Sequence, residues 1–197
     1  MKNILKSLTV SGHYFTVLFA LALLVSCGDD DPVAPTNEEE LITTLNMVFT
    51  PTQGSAVVLK YYDEDGGDGP LSPVVTGGTL SSNTAYTVSL EILNESESPS
   101  EDVTLEIEEE GNDHQFFFEI SEALNLTFEY KDKDANNQPI GIETEFNTGE
   151  ASTGTIKVIL RHEPNKSATG VSSGDITNAG GETDIETVPV FEVNIED

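Results

Sequence analysis

Beyond residue 40 the chain is dominated by apolar residues that recur at every second position. Leu41, Leu45, Met47 and Phe49 fall on one face of LITTLNMVF, and Tyr86, Val88, Leu90 and Ile92 alternate with Thr87, Ser89 and Glu91. The period returns in Leu124, Leu126, Phe128 and Tyr130, in Ile140, Ile142 and Phe146, in Ile156, Val158 and Leu160, and in Phe191, Val193 and Ile195. Successive side chains of a β-strand point to opposite faces, so this alternation predicts strands with one buried and one wet face. Turn-forming stretches (GGDGP, GGT, GND, ANNQP and NTGEASTG) separate the runs. Short strands with frequent turns predict a mainly β fold, an antiparallel β-sandwich or small barrel, as a single domain over residues 41–197.

Three features complicate the pattern. SEDVTLEIEEEGNDHQ reads as a strand through Val103, Leu105 and Ile107, or as a short acidic helix near 100–110 with Ser100 as its cap and Val103 and Ile107 one turn apart. Pro189 has no N–H to give a ladder and predicts an edge or a bulge where the last strand begins. VVLKYYDEDGGDGPLSPVV (57–75) and LTFEYKDKDANNQPIGIET (126–144) share a plan of strand, tyrosine, Asp-x-Asp turn, proline and strand. That echo fits either two related halves in facing sheets or two independent hairpins with the same turn chemistry.

The first forty residues are of a different kind. Lys2 and Lys6 precede an unbroken apolar run, Val17 to Val25, and small Ser26 stands before Cys27, the only cysteine. The three-part layout is that of a secretory signal, and the apolar run is roughly half the ~20 residues that span a bilayer. Leu24-Val25-Ser26-Cys27 resembles the lipobox of bacterial lipoproteins. The resemblance implies cleavage before Cys27, a diacylglycerol on its sulfur and a third acyl chain on the new amino terminus. Two or more chains anchor stably where one does not. Gly28-Asp29-Asp30-Asp31 resembles the acidic tag that directs some lipoproteins of Gram-negative bacteria to the cell surface. The resulting division is a signal peptide at 1–26, a lipidated and acidic tether at 27–40, and the β-rich domain from 41. The expected location is the outer membrane, lipid-anchored, at the cell surface, with other outer-membrane proteins as candidate partners.

Charge narrows the partners. The 197 residues carry 36 acidic and 8 basic side chains, a net charge of −28, and loss of the leader's two lysines makes the remainder more negative by two. Such a surface repels nucleic acid and anionic headgroups and attracts cations. With its one thiol committed to lipidation, the domain has none for disulfides, thiolate catalysis or zinc binding. No G-x-S-x-G elbow or phosphate loop is present, and the absence of tryptophan removes the strongest sugar-stacking residue. These absences predict a module that binds rather than an enzyme.

Two constellations could hold cations. Asp132, Asp134 and Asn136 occupy positions one, three and five of a loop whose twelfth position is Glu143, a spacing that suits calcium, although Asn137 stands where glycine is usual and Pro139 stiffens the turn. The other Asp-x-Asp turn offers Asp63, Asp65 and Asp68 without a distal glutamate. The same residues also make ordinary hairpin turns. Separately, His114 is in register with Phe116, Phe118 and Ile120, and His162 with Ile156, Val158 and Leu160, so each imidazole ends a core-facing row. Glu182 and Asp184 share one face of GGETDIE. Two imidazoles with one or two carboxylates fit zinc or copper, and equally fit imidazoles packed at a core rim beside an acid.

HQFFF, LRHEPNK and GGETDIE together resemble a recurring set in small surface lipoproteins of bacteria, over residues 37 to 197. Such proteins carry the label of a type 1 periplasmic-binding fold, which implies alternating helices and parallel strands over a longer chain. The resemblance implies no activity. Two functions follow as expectations: a lipid-anchored accessory or interaction module without catalysis, or a lipoprotein that binds or delivers zinc or copper through His114 and His162.

Overall fold

The alternating runs become strands because each offers one continuous apolar edge to a shared interior. The computed structural model describes residues 41–67, 69–96 and 98–197. In chain order they form β1 (Thr44–Pro51), β2 (Val57–Tyr62), β3 (Val74–Thr76), β4 (Gly78–Ser81), β5 (Ala85–Asn94), β6 (Glu101–Asp102), α1 (Val103–Glu109), β7 (His114–Ile120), β8 (Leu126–Tyr130), β9 (Glu143–Thr148), β10 (Ser152–His162), β11 (Glu182–Glu186) and β12 (Phe191–Glu196). Strand β5 shows the principle without interruption: Tyr86, Val88, Leu90 and Ile92 are buried and Ala85, Thr87 and Ser89 exposed.

Two sheets result. The first runs β3-β2-β1-β5-β9-β8, with β6 added beside β5; in the second, β10 has β7 along one edge and β12 followed by β11 along the other, with β4 beyond β12. Every pairing is antiparallel except β12 with β4. This is the mainly β, sandwich-like architecture expected from the alternation, not one of alternating helices and parallel strands. Inward faces of both sheets meet in one core, where the rings of Phe49, Phe118 and Phe128 each lie 5.4 Å from that of Phe146. A second, smaller cluster of Phe117, Ile159, Val171 and Ala179 covers the other face of β7 and β10. It explains why HQFFF is buried at all five positions rather than at alternate ones.

The ambiguous segment is helical from Val103. Val103 and Ile107 are buried one turn apart, while Leu105, which a strand would have turned the same way, is 58% exposed. The cap is Asp102, not Ser100: its carboxylate accepts the Thr104 amide at 3.1 Å. Thr104 also closes the edge of β5, accepting the Ile92 N–H at 2.8 Å and donating its hydroxyl to the Ile92 carbonyl at 3.2 Å. Leu41 departs from the expected face because the chain has not yet entered the strand, and Ile42 turns inward instead. Pro189 lies in the break between β11 and β12, where the advance from Glu186 to Phe191 runs against the shorter one from Ile159 to Ile156, the irregularity expected where the last strand begins; β12 itself is an interior strand between β10 and β4. The echoing hairpins lie in one sheet, not in facing ones. Strand β3 is the outer member at one end and β8 at the other, so the first hairpin has its second strand outermost and the second has its first.

Phe146→Ala should lower unfolding stability by about 3–5 kcal/mol in denaturant titration, the cost of emptying a site enclosed by three aromatic rings. Leu105→Ala should change it by less than about 0.5 kcal/mol. Equal effects would contradict this assignment of the core.

Candidate metal centre

Strands β7 and β10 pair antiparallel so that His114 lies directly opposite His162 at the end of the ladder. The inward row continues through Phe116 opposite Leu160, Phe118 opposite Val158 and Ile120 opposite Ile156. Parity along both strands therefore sends the imidazoles to the core side, as the sequence pattern implied. The rings stack with centroids 4.8 Å apart and planes 13° from parallel. His114 is fully buried and His162 is 7% exposed.

The third member comes from β11, which pairs with the other edge of β10. Leu160 faces Ile185, but the next residue, Arg161, faces Thr183, so Asp184 is an extra residue that forms a bulge. A bulge breaks strict alternation and can re-aim a side chain. Here the Asp184 side chain is fully buried even though its neighbour Ile185 is buried as well. Its carboxylate reaches both imidazoles, with Oδ2 3.7 Å from His114 Nε2 and Oδ1 4.0 Å from His162 Nδ1. The same bulge separates Glu182 from Asp184: Glu182 lies opposite His162 in the ladder, yet is exposed. Among the described residues, one group of three or more histidine and acidic side chains has its ligand atoms converging, within 4.8 Å of one another, and it is His114, His162 and Asp184.

Nitrogen and oxygen donors of this kind suit zinc or copper. Bonds of about 2.0–2.1 Å around a tetrahedral ion place donors roughly 3.4 Å apart, so the cluster need close only modestly around one. The imidazole of His114 is also held from behind. Its Nδ1 lies 3.3 Å from the carbonyl oxygen of Glu110, at the C-terminal end of α1. That oxygen can only accept, so the contact places a proton on Nδ1 and aims Nε2 toward Asp184. Histidines that bind metals commonly carry such a backing contact.

The calcium-like loop is closed differently. Both Asp132 oxygens accept backbone amides, from Gly141 and Glu143 at 2.8 Å and from Ile140 at 3.3 Å. Asp134 accepts the amides of Asn136 and Gln138, each at 2.8 Å. Asn136 and Glu143 are exposed, and the Asn136 side chain donates to Asn112. The positive charge at the loop belongs to Lys166, a residue no sequence motif singled out. Its buried ammonium donates to Asp134 at 2.9 Å, to the Pro139 carbonyl at 3.0 Å and to the Gly111 carbonyl. The four residues thus form a hydrogen-bonded turn clamped by an ammonium. Burial pushes Lys166 below the ordinary lysine value, opposed by Asp134, Asp132 and Asp113. Burial pushes the Asp134 carboxyl up, but Lys166 and the Gln138 and Asn136 amides outweigh it and hold the group below the usual range.

Cys27, the tether at 27–40 and Asp68 lie outside the described residues. Among the described residues no helix is long and apolar enough to cross a membrane. Comparison with models of protein families, with curated proteins and with solved structures gives no match.

Lys166→Met should cost about 3–5 kcal/mol at pH 7, because it strands a buried carboxylate. The depressed Asp134 group stabilises the wild type above its ordinary value, about 3.9, and that contribution is lost as pH falls through its folded value. In the variant, protonating Asp134 instead relieves the unpaired charge. The deficit measured by denaturation should therefore shrink below about pH 4, and a deficit independent of pH would contradict the clamp.

Proposed function

We propose that this domain is a binding module for one zinc or copper ion, held by His114, His162 and Asp184 and tethered to the outer membrane through a lipid on Cys27. The observation that carries the reading is the convergence of the three ligand atoms within 4.8 Å on three different strands. Burial supports holding an ion over presenting it to a substrate, since the three side chains are between 0% and 9% exposed. The acidic surface supports it as well, because it raises the local concentration of cations. An anchor on Cys27 would keep the module beside other envelope proteins, where a raised local concentration lets it deliver its ion. Glu182 has no part in the first set of ligands in this reading.

A second reading, an interaction module without metal, draws on exposed Leu41, Leu71 and Val188, which rim one cleft. Calorimetry on the full chain in detergent separates the two. Zinc or copper should bind with a stoichiometry of one, and the His114→Ala/His162→Ala double variant should bind at least 100-fold more weakly. No saturable heat, or the same heat in the double variant, would leave the interaction reading in place of the metal one.

Intact mass of the protein from bacterial envelopes tests the anchor. A chain beginning at Cys27 and carrying acyl chains is expected, and a retained leader or a bare thiol would overturn the tether.

A further inference from the structure

A second polar constellation lies in the cleft between the β2–β3 connection and β11. The cleft encloses about 400 Å³ and is lined on one side by Tyr61, Asp63, Asp65 and Gly66, and on the other by residues 183–186. Asp63 is only 3% exposed. Each of the two carboxylates uses one oxygen within the protein. Asp63 Oδ2 accepts from the Tyr61 hydroxyl at 3.5 Å, and Asp65 Oδ2 accepts the Leu71 amide at 3.0 Å. The other oxygen of each, Oδ1, is buried and meets no hydrogen-bond donor among the described residues.

Two carboxyl groups in contact with spare buried oxygens are an electrostatic fault unless something positive lies between them. Either a proton or a cation can do so. Burial, followed by the contact and charge of Asp65, pushes the Asp63 carboxyl up, against the opposing pull of the Asp65 backbone amide and the Tyr61 hydroxyl. Tyr61 cannot supply a counter-charge: burial and then Asp63 push its hydroxyl up to about 12, so it remains a neutral donor. Lysine closes the corresponding place at the other Asp-x-Asp turn, where Lys166 sits against Asp134, and among the described residues no lysine or arginine lines this cleft.

We propose that Asp63 and Asp65 form a hard-cation site, distinct in its donors from the histidine cluster whose Asp184 lines the far wall of the same cleft, that takes a partly hydrated calcium ion through their two Oδ1 atoms. The donor chemistry selects the ion. Both donors are carboxylate oxygens, which suit calcium and its six to eight oxygen ligands, whereas imidazole nitrogen suits zinc and copper. Water completes the shell, for which the cleft has room. Two carboxylates with water fit the weak sites of extracellular modules, with dissociation constants on the order of 10⁻⁴–10⁻³ M. An ion there would link the β2–β3 connection of one sheet to the neighbourhood of β11 in the other.

Terbium titration of the full chain in detergent, with excitation of tyrosine, tests the site, since Tyr61 touches Asp63 and can sensitise a bound ion. Saturable emission is expected, displaced by calcium. Its midpoint should shift at least tenfold in Asp63→Asn and separately in Asp65→Asn, a partly exposed position where the change leaves the fold intact. The His114→Ala/His162→Ala variant should retain the signal, so loss of zinc binding and loss of this site are distinguishable. Emission unchanged in both Asp→Asn variants would overturn the proposal. So would an absence of saturable emission.

Discussion

Strand β10 is hydrogen-bonded along both edges, and this double pairing governs the rest of the molecule. Its eleven residues face β7 on one side from Ile156 to His162, and on the other side face β12 from Ser152 to Ile156 and then β11 from Ile159 onward. A ladder fixes register in steps of one residue, and a slip of one reverses every side chain. The register that buries Ile156, Val158 and Leu160 in the common core is therefore the one that turns His162 inward. Pairing with β7 then sets His114 opposite it. The imidazoles are held together by the same hydrogen bonds and apolar contacts that hold the sandwich together, so the cluster needs no loop to assemble it.

One irregularity converts that pair into a candidate site. Without the extra residue in β11, alternation would place Asp184 on the face opposite Ile185, away from the histidines. The bulge supplies the carboxylate, and the end of α1 supplies the carbonyl that orients His114. A cluster with donors from β7, β10 and β11 and its backing from α1 is preorganised by four elements. Preorganisation favours tight ion binding because little ordering remains to be done. The chain as a whole is strongly acidic, and its buried positive charge is used sparingly: Lys166 is committed to the turn around Asp134, while the turn around Asp63 has no such partner among the described residues.

Much of the fold was legible in the alternation, because burial of one strand face leaves a period of two that survives without knowledge of partners. The inward direction of both histidines was legible for the same reason. Their meeting was not, since strand order depends on contacts between β7 and β10, separated by more than thirty residues. The bulge was hidden too: GGETDIE suggests Glu182 and Asp184 on one face, and only the offset between Arg161 and Leu160 in the ladder separates them. The spacing from Asp132 to Glu143 left both calcium and an ordinary turn open, because aspartates that cap amides and aspartates that bind ions look alike in sequence. What distinguishes them is Lys166, which reaches the turn from another loop. Asp102 rather than Ser100 caps α1 because β6 extends to Asp102 and delays the start of the helix.

The most direct test is X-ray absorption at the zinc edge of the full chain loaded with one equivalent of zinc. Ligation by His114, His162 and Asp184 predicts a low-coordinate shell at about 2.0–2.1 Å with the outer-shell scattering of two imidazoles. A six-oxygen shell without imidazole scattering would contradict the account, because it would place the ion among surface carboxylates instead of at the end of the β7–β10 ladder.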